Sequence, residues 1–281
     1  MKQYKRKKFA VFGNPIEHSL SPPIHLEFAV QHNLDITYDK LLSTEAGFAA
    51  DVEEFFANGG EGCNVTMPFK EQAFELCDEL TESARRAQAV NTLYRSNTGT
   101  LCGHNTDGGG LLQDLTQNLR LDLKDANIII IGAGGATRGI LQPLINERPA
   151  GLTIINRTAS KAQTLADEFT DIFKITAIGA DKIPPDLKAV DVLINATSAS
   201  LSAKLPISDT SLISQNTCCY DLAYASEPTL FLQWANKAGC KVSHDGRGML
   251  VEQAALAFTT WTTLDVTTHA LIKDFENLKQ Q

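Results

Sequence analysis

No apolar run in this chain approaches the about 20 residues that a membrane-spanning helix requires, which argues against a transmembrane role. Cysteine is present but unpatterned. Cys63, Cys77, Cys102, Cys218, Cys219 and Cys240 form no C-x-x-C pair and no His/Cys cluster at zinc spacing, so neither a disulfide scaffold nor a metal centre is indicated and no metal is assigned. Free thiols in a reducing compartment are expected. A positive excess is missing too. With 25 Lys and Arg against 33 Asp and Glu the net charge is −8, and the chain as a whole repels phosphate backbones. One basic cluster (Lys2, Lys5, Arg6, Lys7, Lys8) could touch nucleic acid or mimic the start of a signal peptide. The apolar stretch behind it, residues 9–12, is too short for a signal core, so the cluster reads as a solubilising lead into a first strand. Repeats and low-complexity linkers are absent. What is there, 43% hydrophobic and 21% charged residues in a chain of 281, suits a soluble, cytoplasmic, two-domain protein with no nucleic-acid or membrane partner.

Strands and helices alternate. Residues 8–12 read as a strand ending at Gly13-Asn14-Pro15. Ser21-Pro22-Pro23 then starts a helix, serine capping it and proline suiting the first turn. Further strands are expected at 37–42 and 62–66, with a hairpin of 91–95 and 101–104 around Asn97-Thr98-Gly99. A helix at 46–57 places Phe48, Val52, Phe55 and Phe56 on one face. A connecting helix, 111–119, leads to a second α/β series: strand 128–131, helix 136–146 with Pro143 as a kink point, strand 152–155 and helix 160–169. The strands at 190–194 and 218–222 are nearly all apolar, as a parallel sheet buried on both faces requires. A long amphipathic helix, 248–263, and another, 265–278, follow. The residues alone place a domain boundary near 107 and leave a return of the chain to the first domain near 245 open.

Two short stretches suggest chemistry. Gly62-Cys63-Asn64-Val65-Thr66-Met67-Pro68-Phe69-Lys70 puts a lysine in the first turn of a helix, where a cation opposes the helix dipole. His104-Asn105-Thr106-Asp107-Gly108-Gly109-Gly110 puts an aspartate at another helix start. A carbonyl that accepts hydride develops alkoxide charge; an ammonium stabilises that charge and delivers a proton, and a carboxylate orients the ammonium. Lys70 with Asp107 suits that task. Taken singly, Lys70 reads equally as a snorkelling surface lysine and Asp107 as a helix cap. Ser19 and Ser21 offer hydroxyls to a carboxylate, with Ser21 as a plain helix cap the alternative. Asn64, Thr66, Asn91 and Asn105 stand at strand ends, where side chains collect above a sheet, or serve as turn residues.

The stretch from Asn127 to Ala136 is a strand running into a glycine turn, the start of a dinucleotide site. Gly132 and Gly134 match the G-x-G-x-x-G/A pattern; Thr137 stands at its third glycine. The first glycine permits the tight turn, and the second lets backbone amides approach a pyrophosphate at a helix N-terminus. At the end of the next strand, sites for NAD carry an acid that bonds the ribose 2′-hydroxyl. This chain has Asn156-Arg157-Thr158 with Lys161 close by, cations that pair with a 2′-phosphate, so NADP is the expected cofactor. The alternative is a helix cap by Thr158 or Ser160 beside a solvated Arg157.

In order along nearly the whole chain, these stretches resemble the shikimate dehydrogenase family. The set runs Gly13-Asn14-Pro15-Ile16-Glu17-His18-Ser19-Leu20-Ser21-Pro22, Asn64 through Lys70, Ala89-Val90-Asn91-Thr92, Asn105-Thr106-Asp107, Gly132-Ala133-Gly134-Gly135-Ala136, Asn156-Arg157-Thr158, Asn195-Ala196-Thr197-Ser198, Tyr220-Asp221, and Asp245-Gly246-Arg247-Gly248-Met249-Leu250 with Gln253-Ala254-Ala255. The resemblance implies NADPH-dependent, reversible reduction of 3-dehydroshikimate to shikimate, on the route to chorismate and the aromatic amino acids. It makes Lys70 the acid/base residue and Asp107 its partner. Ser19 and Ser21 would hold the substrate carboxylate, and Thr66, Asn91, Asp107 and Gln253 its hydroxyls, with Tyr224 nearby. Gly132, Ala133, Gly134, Gly135, Ala136, Asn156, Arg157, Thr158 and Lys161 would bind NADP, with Leu222 and Gly246 near the nicotinamide and Glu82 on the cofactor side of the cleft. The implied fold is α/β in two domains: a substrate domain of residues 1–106 plus 245–281 and a doubly wound, Rossmann-like NADP domain of residues 107–244, working as a monomer or homodimer. Three positions depart from the family pattern: Ser200 where glycine is usual, Leu222 where methionine is usual, and Leu26 where asparagine is common. A catabolic, NAD-using quinate/shikimate relative and a non-catalytic NADP sensor are the competing readings. Arg157 speaks against the first, and the retention of Lys70 and Asp107 against the second.

Overall fold

Lys7–Gly13 forms β1 in a computed structural model that describes residues 6–185, 187, 190–199 and 204–275. Ser200 lies outside the described residues. β1 is apolar at every position from Phe9 to Phe12 because both its faces are covered. Ala10 and Phe12 join a core with Phe48, Val52, Phe56, Cys63 and Val65. On the other face Phe9 stacks on Trp261 with ring centroids 5.0 Å apart. The chain continues through α1 (Ser21–Gln31), β2 (Ile36–Leu42), α2 (Phe48–Ala57), β3 (Gly60–Val65), α3 (Lys70–Leu76), β4 (Glu79–Leu80), α4 (Glu82–Ala87), β5 (Thr92–Arg95), β6 (Leu101–His104) and α5 (Asp107–Gln113). The sheet order is β2-β1-β3-β5-β6-β4. β1 pairs in parallel with β2 and β3, β5 runs antiparallel to β3 and β6, and β4 lies parallel to β6.

The chain divides into two units, one taking it up to Gly110 and again from Leu250, the other spanning Leu111–Met249. The second unit holds β7 (Asn127–Ile131), α6 (Gly135–Asn146), β8 (Gly151–Asn156), α7 (Ala159–Asp167), β9 (Thr176–Gly179), β10 (Val192–Asn195), β11 (Cys218–Asp221), α8 (Leu230–Lys237) and β12 (Val242–Asp245). Its sheet is parallel throughout, in the order β12-β11-β10-β7-β8-β9. Counted from β7 this is 3-2-1-4-5-6, the doubly wound dinucleotide-binding order. The four isoleucines of β7 alternate between two cores. Ile128 and Ile130 face Ile140, Leu144 and Leu165; Ile129 and Ile131 face Leu193, Phe231 and Leu232. That double burial is why the strand carries no polar face.

Three helices differ from the sequence expectation. The connecting helix stops at Gln113 and continues as a π-helical turn, Asp114–Asn118. The wider turn starts at a buried carboxylate: Asp114 accepts from the Tyr220 hydroxyl at 2.7 Å and from Asn118 Nδ2 at 2.9 Å. The helix α9 (Arg247–Thr262) is not amphipathic. Val251, Glu252, Gln253, Ala254, Ala255, Ala257 and Phe258 are all buried, a run too continuous to leave one face of the helix to solvent there. The final helix, α10, covers only His269–Lys273. The threonines before it bond elsewhere, Thr262 Oγ1 to the Phe258 carbonyl at 2.7 Å and Thr268 Oγ1 to Glu252 at 2.7 Å. Its expected continuation over 276–278 lies outside the described residues. The short elements β4, α4, β9, α8 and β12 carry no sequence expectation. Among the described residues no helix is long and apolar enough to cross a membrane.

Candidate active site

Lys70 is the first residue of α3 and Asp107 the first of α5. Their side chains meet: Lys70 Nζ donates to Asp107 Oδ2 at 2.6 Å, both groups being partly buried. A cation at a helix N-terminus is locally unfavourable, and here the carboxylate supplies the opposing charge. Asp107 is not the helix cap. Asn105 takes that work, its Oδ1 accepting the Asp107 backbone N–H at 3.1 Å, which leaves both carboxylate oxygens for other partners. The glycines that follow Asp107 serve packing. A β-carbon on Gly110 would lie 2.6 Å from the backbone nitrogen of Gln253.

Asn91, buried just before β5, joins the pair to its surroundings. Its Nδ2 donates to Asp107 Oδ1 at 2.9 Å, to Thr106 Oγ1 at 2.9 Å and to Gln253 Oε1 at 3.3 Å. Its Oδ1 accepts from the Thr106 backbone N–H and the Thr92 hydroxyl, both at 2.9 Å. Lys70, Asn91, Asp107 and Gln253 are thus brought together within the first unit. Ser19 and Ser21 stand at the entrance to α1. Ser21 is not its cap: it is already helical, Leu20 holds the cap position, and the Ser21 N–H goes to Ser19 Oγ at 3.3 Å. Thr66 follows β3, its backbone N–H bonded to the Phe12 carbonyl at 2.9 Å. Glu82 opens α4, which Thr81 caps through the Ala84 N–H at 3.3 Å.

In the second unit the glycine turn lies where the strand order reverses, between β7 and β10. Gly132 has φ +114°, and a β-carbon there would come 3.0 Å from Thr197 Cγ2 in the loop after β10. Thr137, at the third glycine position, is buried and bonds its hydroxyl back to the Gly132 carbonyl at 2.9 Å, so it braces the turn in place of a glycine. At Gly134 and Gly135 a β-carbon would meet nothing within 4 Å, and no side chain caps α6. Ala133 and Ala136 flank that open, N–H-lined start of the helix, which fits a pyrophosphate. At the end of β8, Asn156 Nδ2 bonds the Thr158 carbonyl at 2.9 Å. Arg157, Thr158 and Lys161 are exposed; Thr158 holds the cap position of α7 without a side-chain capping bond, and no acid lies in that helix's first turn. A cationic strand end without a carboxylate fits a 2′-phosphate.

Beyond β10 and β11 a second buried network holds the loops. Asn195 donates to Asp221 Oδ1 at 3.0 Å, Thr229 to Asp221 Oδ2 at 2.6 Å, and Thr197 to Asn195 Oδ1 at 2.7 Å. Leu222 follows directly. Gly246 sits so close to it that a β-carbon would be 2.1 Å from the Leu222 carbonyl oxygen. Burial first, and the charge of Asp245 second, raise the Tyr224 phenol above its ordinary pKa, so it stays protonated. Tyr224, Leu222 and Gly246 belong to the second unit, the serines and the Lys70 cluster to the first. The residues that sequence reasoning missed are Tyr38 and Thr92 in the first unit and Thr229 in the second. Their signal was weak, because each reads as an ordinary strand or loop residue.

A 3-2-1-4-5-6 parallel sheet with a glycine turn at its switch point, in one chain with a unit carrying a lysine–aspartate pair, defines a dinucleotide-dependent oxidoreductase. The family model described as the shikimate dehydrogenase substrate binding domain matches residues 11–93, and that described as shikimate / quinate 5-dehydrogenase matches residues 114–216. A shikimate dehydrogenase (NADP(+)) of Colwellia psychrerythraea is 49% identical over 261 residues, 93% of each chain. Among solved structures, an Ael1 enzyme from Pseudomonas putida is 38% identical with a TM-score of 0.89, covering 95% of this chain and 97% of its own. The shikimate 5-dehydrogenase of Thermus thermophilus, solved with NADP(H) and shikimate, is 29% identical with a TM-score of 0.84, covering 97% and 99%. The chain belongs to the shikimate dehydrogenase family.

Proposed function

We propose that this protein reduces 3-dehydroshikimate to shikimate with NADPH, reversibly, in chorismate and aromatic amino acid biosynthesis. The observation that carries the reading is the 2.6 Å contact between Lys70 and Asp107, set among buried amides and hydroxyls. NADPH, when bound, supplies the hydride. As the substrate carbonyl oxygen gains charge, the Lys70 ammonium stabilises it and gives up a proton; in the oxidising direction the neutral amine takes the hydroxyl proton. Asp107 orients the ammonium and accepts from a neighbouring substrate hydroxyl. Thr66, Asn91 and Gln253 bind the remaining hydroxyls, and Ser19 and Ser21 the carboxylate. Tyr224 adds a protonated phenol near the substrate.

Gly132, Ala133, Gly134, Gly135 and Ala136 would hold the pyrophosphate through backbone N–H groups, and Asn156, Arg157, Thr158 and Lys161 the 2′-phosphoribose. Leu222 and Gly246 would lie near the nicotinamide, with Glu82 on the cofactor side. The unit that runs up to Gly110 and again from Leu250 would take the substrate and the unit Leu111–Met249 would take NADP, in place of the expected division into 1–106 plus 245–281 and 107–244. Six free cysteines support a cytoplasmic setting. One chain already contains every residue named, so a monomer or a homodimer satisfies the reading. Purified protein mixed with NADPH and 3-dehydroshikimate should consume NADPH absorbance in proportion to substrate. Faster turnover with NADH, or with quinate and NAD, would assign the catabolic activity instead, and no turnover with any pair would overturn the reading.

A further inference from the structure

We propose that Tyr38 is a positioning residue for the Lys70–Asp107 pair, acting through Asn64, Thr92 and Asn91; this rests on the reading of that pair given above. The Tyr38 hydroxyl donates to Asn64 Oδ1 at 2.6 Å and, with the acceptor-only Asn91 carbonyl at the opposite end, fixes which end of that buried amide carries the oxygen. Asn64 Nδ2 therefore donates onward, to the Asn91 carbonyl at 3.0 Å and to Thr92 Oγ1 at 3.2 Å. Thr92 directs its only hydroxyl proton to Asn91 Oδ1 at 2.9 Å. Held on Oδ1 by Thr92 together with the Thr106 backbone N–H, the Asn91 amide is oriented with its NH2 towards Asp107 Oδ1, at 2.9 Å, while Oδ2 of the same carboxylate takes the Lys70 ammonium.

Every link runs from donor to acceptor in one direction. Reversing either amide would set donor against donor or acceptor against acceptor in a region where Tyr38, Asn64, Asn91 and Thr92 are all buried and water cannot replace a lost partner. The chain transmits orientation rather than protons, since amide groups do not exchange protons along it. Its outer end is fixed by packing. The His25 ring stacks on Tyr38 with centroids 4.4 Å apart and planes 13° from parallel, so His25 acts as a platform. Burial, with the Ser21 hydroxyl opposing, holds the Tyr38 phenol well above its ordinary pKa, which keeps it protonated. Ser21, proposed above to hold the substrate carboxylate, is therefore also a neighbour of the chain's first link.

The test is Tyr38→Phe, which keeps the ring stack and removes only the donor. Its kcat for 3-dehydroshikimate should fall about 5- to 20-fold with the KM for NADPH unchanged. The side-chain amide signals of Asn91 in a nitrogen-15 correlation spectrum should move, although Asn91 does not touch Tyr38. Thr92→Val should act in the same direction, and Tyr38→Phe/Thr92→Val should be no slower than the slower single variant, because both cut one chain. Wild-type kcat with unmoved Asn91 signals, or single effects that multiply in the double variant, would overturn the proposal. If Tyr38→Phe does not fold, Thr92→Val alone decides by the same two readouts. Should Lys70→Ala retain turnover, the acid/base reading fails, whereas the Asn91 signals in Tyr38→Phe still report whether the chain orients that amide.

Discussion

Replacing Arg157 with alanine should separate the two nicotinamide cofactors. Arg157 follows β8 directly, is exposed, and has no carboxylate beside it in the first turn of α7. A charge-assisted hydrogen bond from a guanidinium to a phosphate contributes about 1.5–3 kcal/mol. Solvent screens an exposed pair, and Lys161 in the same helix retains part of the positive field, so the lower end applies. About 1.4 kcal/mol is a factor of ten. The kcat/KM for NADPH should therefore fall about tenfold, nearly all of it in KM, while the value for NADH stays within about twofold. Raising the ionic strength should narrow the gap between wild type and variant, because the lost interaction is screened by salt. Arg157→Asp should go further, repelling the 2′-phosphate and accepting from an unmodified ribose hydroxyl, so that NADH becomes the better substrate. Initial rates of NADPH and NADH oxidation at saturating 3-dehydroshikimate give all these numbers. Equal losses with both cofactors, or no loss with either, would refute the 2′-phosphate role and leave Arg157 a solvated strand-end residue.

Asp107→Asn should lower kcat about 10- to 100-fold with a shift of only a few degrees in melting temperature, because an amide offers one acceptor oxygen where Lys70 and Asn91 need two; a kcat near wild type would refute the orienting role. Gly246→Ala forces a β-carbon to within 2.1 Å of the Leu222 carbonyl, so kcat/KM for NADPH should fall at least about tenfold, and unaltered cofactor kinetics would show that this turn lies away from the nicotinamide. His25 is held neutral, its pKa pushed down from 6.5 to about 3 by burial, with Asn64 opposing. The unfolded chain takes up that proton near 6.5 and the folded chain does not until about 3, so each pH unit lost in that window costs the folded state about 1.4 kcal/mol. His25→Phe should flatten the fall in urea midpoint between pH 7 and pH 5; an unchanged slope would mean that the ring is protonated in place.

Much of the fold was legible because burial leaves a plain mark. The apolar runs at Phe9 to Phe12 and Ile128 to Ile131 are strands covered on both faces, and their β-branched and aromatic residues bounded by turn signals marked them as such. The lysine at α3 was legible as a misfit, a cation against a helix dipole, whereas the aspartate at α5 read locally as a helix cap and gained its meaning only beside the lysine. What was not legible depends on contacts far apart in the chain. The carboxylate of Asp114 reads as a helix residue until Tyr220 is found bonded to it, and then the π turn has a cause. The helix α9 reads as amphipathic from its scattered Glu252 and Gln253, yet both are buried and bonded, Glu252 to Thr268 and Gln253 to the Leu250 carbonyl. Tyr38 is an ordinary aromatic strand residue in sequence, and only the register of β1 between β2 and β3 brings it to Asn64. Short elements such as β4 and β12 offered too few residues for any periodicity to show.

The most direct test of the central claim is turnover and ligand binding measured side by side on Lys70→Ala. The ammonium stands against Asp107 at 2.6 Å, and nothing else in that hydrogen-bond network can both stabilise an alkoxide and hand it a proton. The variant should lose nearly all reduction of 3-dehydroshikimate while calorimetry shows shikimate bound with an affinity within about tenfold of wild type. Turnover at the wild-type rate with intact binding would contradict the account.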